Sequence, residues 1–189
     1  MVGGGSDNRI AGPHRDILPT DGVPIRSAAT LMLIDDRPDL HVLSLRRTDA
    51  STFVAGHTLF PGGAVDKGDC DPRWAGLATG AAGGLLGMDD PSSYRIAAVR
   101  ETIEEIGVAV GIDDPRLAAH LVASRRALES GEASMVDLVA AGGAGLDLSG
   151  LHSVARWVTP LPSIKRYDTA FFVARAPADV EPVVDGHEV

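Results

Sequence analysis

The sequence predicts an α/β domain, a sandwich with a mixed β-sheet, on three observations. Apolar runs of strand length, rich in β-branched residues, stand early in the chain (Ser27 to Ile34) and late (Ala155 to Thr159, Ala170 to Ala174). Between them Ile96, Val99, Ile103 and Ile106 recur at intervals of three, four and three, the buried stripe of one central helix. Turn residues separate these segments, and neither a linker nor an internal repeat divides them.

Residues 1–22 read as a flexible segment, given Gly3-Gly4-Gly5, and residues 23–189 as the domain. The first strand ends at Asp35-Asp36-Arg37-Pro38. A second runs from Leu40 to Arg46 with His41, Leu43 and Leu45 on one side of the pleat, and a third from Phe53 to Phe60 enters Pro61-Gly62-Gly63. Asp71-Pro72-Arg73-Trp74 reads as a short capped helix, and the glycine- and alanine-rich stretch up to Gly87 as loosely packed. Asp90-Pro91 opens the central helix with a cap followed by a residue whose missing N–H costs nothing there, and Gly107 is its left-handed stop. Asp114-Pro115 opens a helix through Leu117, Leu121 and Leu128 to about Gly131, and Met135 to Ala140 forms a short one. The two late strands are joined by a proline-rich connection carrying Arg166-Tyr167-Asp168, and Trp157 is expected in the core.

A chain of 189 residues with 44% hydrophobic residues can build one substantial core. Net charge −9, with no basic tract, argues against an extended nucleic-acid partner. No segment has the apolar length of a membrane span, and the amino terminus lacks a secretion signal's basic and apolar regions. Cys70 is the single cysteine, so no internal disulfide forms, which fits a cytoplasmic setting. His57 has no histidine or cysteine at metal-ligand spacing, and no serine–histidine–acid order suggests a covalent serine mechanism.

The chemistry gathers in Arg100-Glu101-Thr102-Ile103-Glu104-Glu105-Ile106-Gly107-Val108. Glu101 precedes Glu104 and Glu105 by three and four residues, so the carboxylates converge on one patch of the helix surface. Like charges so placed repel, and a hard divalent cation gives a reason to collect them. Upstream runs Leu59-Phe60-Pro61-Gly62-Gly63-Ala64-Val65-Asp66-Lys67-Gly68-Asp69. Together the two segments resemble the box of the Nudix hydrolases, G-x5-E-x7-R-E-U-x-E-E-x-G-U with U aliphatic. Gly63 matches, Asp69 stands for the first glutamate, Thr102 for an aliphatic residue, and every other fixed position of the second half is met. The spacing departs: 30 residues separate Asp69 from Arg100, placing an insertion at about 70–90. Interrupted boxes of this kind are similar to those of peroxisomal coenzyme A diphosphatases. Val42-Leu43-Ser44-Leu45-Arg46-Arg47, followed by Gly56-His57-Thr58-Leu59-Phe60-Pro61-Gly62-Gly63, also resembles the element preceding the box in coenzyme A-directed members.

The resemblance implies a Nudix-type α/β/α sandwich over about residues 25–189 and a pyrophosphohydrolase. Mg2+ or Mn2+ would be held by Glu101, Glu104, Glu105 and the backbone carbonyl near Gly63, with Arg100 fixing a box carboxylate. One of the glutamates or a later acid would deprotonate water, and Asp69, a methylene shorter than glutamate, would reach the ion through water. The substrate would be a small NDP-X compound, coenzyme A or acyl-CoA favoured, giving 3′,5′-ADP and a phosphopantetheine. ADP-ribose, a nucleotide sugar or an oxidised nucleotide is the alternative, and a noncatalytic nucleotide-sensing scaffold is the alternative of another class. Arg46 and Arg47 contact phosphate or form an exposed strand end. Arg166, Tyr167 and Asp168 clamp a nucleotide or form a packed turn with its own ion pair. Glu188 is a further carboxylate for the site or a frayed terminal residue. The carboxyl end reads as the start of a strand, so the chain is either truncated or completed by a second copy in a homodimer.

Overall fold

A computed structural model describes residues 22–46, 57–81, 91–178 and 181–184. The expectations for residues 1–21, for the beginning of the third strand, for the middle of the insertion, and for Arg47 and Glu188 fall outside the described residues.

The sheet is built on β1 (Ile25–Asp35), where Ala29, Leu31 and Leu33 alternate toward the core at no more than 2% exposure. The expected second strand is two pieces. His41–Val42 (β2) pairs with the end of β1, whereas Leu45–Arg46 (β3) leaves the sheet and pairs with Thr58–Leu59 (β4). Leu45 turns inward at 5% exposure while His41 and Val42 remain on an exposed edge, so the pleat does not run unbroken. Gly62–Ala64 (β5) returns antiparallel to β1, with Gly63 opposite Ala29. A 3-10 turn at Gly68–Cys70, the short helix α1 (Trp74–Leu77) and β6 (Ala78–Thr79) form the described beginning of the insertion.

The central helix α2 (Pro91–Ile106) presents Ile96, Val99, Ile103 and Ile106 to the core at no more than 1% exposure. Thr102 is fully buried and donates its hydroxyl to Ala98 O at 2.7 Å, so the polar atom is satisfied within the helix. The single helix expected after Asp114 is two, α3 (Pro115–Ala123) and α4 (Arg125–Glu129), interrupted at Ser124. Asp114 caps α3 through the N–H groups of Arg116 and Leu117. Then come α5 (Met135–Gly142), β7 (Leu146–Asp147), β8 (His152–Val158) and β9 (Arg166–Arg175).

β9 lies parallel to β1 from Ile25 opposite Arg166 to Ile34 opposite Arg175, and β8 is antiparallel to β9, so the sheet is mixed. Helix α2 packs on the face formed by Ala29, Leu31, Leu33, Ala170, Phe172 and Ala174, and α3, α4 and α5 extend that core through Leu117, Leu121, Leu128 and Val139. Two expectations change here. Arg166, Tyr167 and Asp168 belong to β9 and not to a connection. Trp157 is 70% exposed, because its position opposite Thr169 puts it on the other sheet face, beside Phe171 with ring centroids 5.7 Å apart.

The insertion begins under firm restraint. Trp74 is 5% exposed and its indole N–H donates to Gly68 O at 2.8 Å, while β6 pairs in parallel with β7. Trp74→Ala should destabilise the fold by about 3–5 kcal/mol, whereas Trp74→Phe, which keeps the ring and loses the hydrogen bond, should cost about 1 kcal/mol. Urea unfolding of the two variants checks the difference.

Candidate active site

The site begins with an arginine placed among acids. Arg100 is 8% exposed on α2. Its Nε and Nη2 donate to Asp69 at 3.1 and 3.0 Å, its Nη1 to Glu104 Oε2 at 2.8 Å, and its Nη2 to Ala64 O at 2.8 Å. Glu101 Oε1 lies 2.9 Å from Nη1. Residues far apart in sequence therefore meet at one guanidinium whose fork matches the carboxylates it joins.

Asp69 is 2% exposed and accepts from Arg100 through both oxygens, and from Asp66 N at 2.8 Å. Burial raises its pKa and Arg100 opposes the rise. Contact with an ion through water was the expectation for this residue; its oxygens are instead committed to the guanidinium and the backbone. The shorter side chain suits an anchor delivered by a tight 3-10 turn.

Gly63 and the three glutamates converge at the β5 edge of the sheet. A Cβ on Gly63 would stand 2.3–2.6 Å from the Glu101 carboxylate, so only glycine lets that acid lie against the strand. Glu105 Oε2 accepts from Gly62 N at 3.1 Å. Burial raises the Glu101 pKa, and it pushes Glu104 up to about 7 against the pull of Arg100, with the Glu101 charge adding to the rise.

Among the described residues no group of three or more His, Cys, Asp and Glu side chains is closed around one point as a metal cage. The donor chemistry nevertheless fits a hard divalent cation. Glu104, 9% exposed, gives Oε2 to Arg100 while its Oε1 meets no hydrogen-bond donor among the described residues, and Glu101 Oε2 is in the same condition. Buried carboxylate oxygens without donors are what a cation would satisfy.

Beside this group lies a cleft of about 510 Å3 lined by Thr30, Leu59, Phe60, Gly63, Glu101, Glu105, Lys165, Tyr167 and Thr169, among others. A larger cavity of about 720 Å3, between Asp35, His41 and Pro177, contains none of the clustered acids. The expected Arg166–Tyr167–Asp168 clamp is divided, because consecutive residues of a strand face opposite ways. Tyr167 enters the cleft; Arg166 donates to Thr159 O at 3.1 Å, and Asp168 pairs with Arg156 at 2.6 Å, which lowers the Asp168 pKa. Arg46 is exposed opposite Thr58 and lies outside the lining of the cleft. Lys165 and Thr169 escaped the sequence reading, although a strand register through Tyr167 would have brought both to its side.

Two neighbouring glycines should separate fold from site. Gly62→Ala would put a Cβ 2.4 Å from Ala29 O and should destabilise the protein by about 2 kcal/mol or more, read from thermal unfolding. Gly63→Ala meets a movable carboxylate, so it should leave most of the stability and weaken Mn2+ binding about tenfold or more, read by calorimetry. The Glu104 pKa sets a pH dependence. Its folded value, about 7, stands above the ordinary 4.5, so the proton stabilises the metal-free fold at low pH and that contribution is lost as pH rises through about 7. Mn2+ must displace this proton: affinity should rise by up to about tenfold per pH unit below pH 7 and level off above it. Titration at pH 6, 7 and 8 in buffers of different ionisation enthalpy checks both the slope and the released proton.

No family model matches the chain. It is 26% identical over 205 aligned positions to the acyl-coenzyme A diphosphatase NUDT19 of Gallus gallus, an alignment covering 78% of this chain and 54% of that protein. The chain thus spans about half the length of this curated relative. A solved structure, that of a NUDIX hydrolase from Alicyclobacillus acidocaldarius, superposes with a TM-score of 0.69 at 32% identity, covering 88% of this chain and 77% of the other. With the acids of α2 set against the glycine turn of β5, that shared fold and sequence show that the chain belongs to the Nudix hydrolase family.

Proposed function

We propose that this chain is a metal-dependent pyrophosphohydrolase that cleaves the diphosphate of a small NDP-X substrate, with coenzyme A or an acyl-CoA favoured, in the cytoplasm. The observation that carries the reading is the meeting of Glu101, Glu104, Glu105 and Gly63 at one end of a cleft of about 510 Å3 that also holds a cation and aromatic rings. The likeness to a diphosphatase acting on acyl-coenzyme A supports the substrate choice.

The three glutamates and the Gly63 carbonyl would hold Mg2+ or Mn2+. When bound, the ion supplies charge neutralisation for the diphosphate and acidity for a water molecule. The protein's own groups do the rest. Arg100 holds Glu104 and Glu101 in place and offsets their mutual repulsion. Lys165 places positive charge where the substrate's phosphates enter, and Phe60 and Tyr167 offer faces on which a base can stack. Water oxygen attacks one phosphorus, the bridging P–O bond breaks, and the water's proton passes to a carboxylate of this group. Glu104, with a pKa near 7, has the basicity that general-base catalysis near neutral pH requires. For coenzyme A the products are 3′,5′-ADP and 4′-phosphopantetheine.

A product-resolved screen of NDP-X compounds, with Mg2+ or Mn2+ present and with chelator, tests the proposal. Coenzyme A compounds should be turned over best, ADP-ribose and nucleotide sugars less well, and none without metal. Glu104→Gln should lower kcat by about 100-fold or more. Nucleotide binding without turnover in the presence of metal would overturn the enzymatic reading.

A further inference from the structure

We infer that Arg125 is the positioning residue of the carboxylate helix: it holds the backbone of Glu104 and Glu105 so that their side chains stay aimed at the glycine turn of β5. The inference rests on the reading of those carboxylates as a metal site, and it adds a residue that no box motif contains.

An α-helix ends with carbonyls that its own chain leaves without partners. In α2 those of the last turn belong to Ile103, Glu104, Glu105 and Ile106, and each has an identifiable donor. Gly107 N reaches Ile103 O at 2.9 Å, as the chain turns away with φ +67° at Gly107. Arg125 Nε donates to Glu104 O at 2.5 Å and its Nη2 to Glu105 O at 2.5 Å. Val183 N donates to Ile106 O at 2.9 Å, and Arg125 Nη1 returns to Val183 O at 2.6 Å. One side chain therefore closes the end of α2 and ties it to a segment 58 residues later in the chain.

The sequence arranges this locally. The break at Ser124 starts α4 afresh with Arg125 as its first residue, and Leu121 and Leu128, at 0% and 6% exposure, fix the break against the core. A guanidinium is suited to the position, because its planar fork can donate to two consecutive carbonyls and its charge complements the negative end of the helix dipole. Glu104 and Glu105 occupy the turn where a helix frays first, whereas Glu101 is one turn further in. Without the clamp, the first two would lose their fixed placement relative to the third.

The test is Mn2+ titration of the full chain, followed by the loss of the free-ion paramagnetic resonance signal, together with thermal unfolding. Arg125→Ala should weaken Mn2+ binding about tenfold, and Arg125→Lys should recover part of that loss. Val183→Pro, which removes the N–H given to Ile106, should weaken binding, and Val183→Ala should not. Leu148→Ala, a core truncation in a residue of 0% exposure, serves as the destabilised control and should keep its Mn2+ affinity. Should Arg125→Ala fail to fold, Arg125→Lys and Val183→Pro carry the comparison. Wild-type affinity in the Arg125 and Val183→Pro variants, or equal weakening by Leu148→Ala, overturns the positioning role alone. Absence of Mn2+ binding by the unaltered protein overturns the metal reading and this inference with it.

Discussion

The contact between Arg100 and its acids comes first in any physical account of this protein. A guanidinium at 8% exposure would be costly alone, and so would Asp69 at 2% and Glu104 at 9%. Together they satisfy one another through well-placed hydrogen bonds, and removing one partner of such a buried pair costs about 3–5 kcal/mol. The arginine also makes the crowding of three glutamates tolerable. It engages one oxygen each of Glu101 and Glu104, leaving oxygens that still lack a donor among the described residues. Structural need and chemical capacity thus share the same carboxylates.

The surroundings serve to hold that arrangement. One stripe of α2 fixes the helix to β1 and Phe172 through the core, and the adjacent stripe carries the acids. β5 pairs with β1 and so brings two glycines to the acids: Gly62 donates its N–H to Glu105, and Gly63 leaves the space that Glu101 occupies. The 3-10 turn supplies Asp69 from below. Each of these contacts joins a sequence-local feature to a distant one, which is why the site is assembled by the fold as a whole.

Much of this was legible before the structure. The stripe at Ile96, Val99, Ile103 and Ile106 fixed which face of α2 is buried, and the offsets of Glu101, Glu104 and Glu105 fixed which face is acidic. What misled was parity in the late strands. Arg166, Tyr167 and Asp168 look like a cluster in one dimension, but in β9 alternation sends Tyr167 with Lys165 into the cleft and turns Asp168 to Arg156. Trp157 was placed in the core on hydrophobicity alone, although its strand position put it on the opposite face of the sheet. The interruption at Ser124 was also hidden, since Leu117, Leu121 and Leu128 keep a helical spacing across it and the break is required by the end of another helix. Asp69 read as a weakened ligand because the sequence could not show that its partner is the buried arginine.

The anchoring of the insertion bears on how such a protein can change over time. Asp69 is held in its turn by Arg100, Trp74 closes over that turn, and β6 is stapled to β7. Both carboxylate and stapled pair precede the stretch leading into α2, so extra codons accepted there enter the energetics only through closure entropy, which grows slowly with chain length. In β9 the situation is reversed. There the parallel ladder with β1 runs unbroken from Arg166 to Arg175, and a single added or lost codon would exchange cleft wall for core along the whole strand. Lineages descending from such a gene are therefore free to remodel one border of the acids and are bound to conserve reading length at the other.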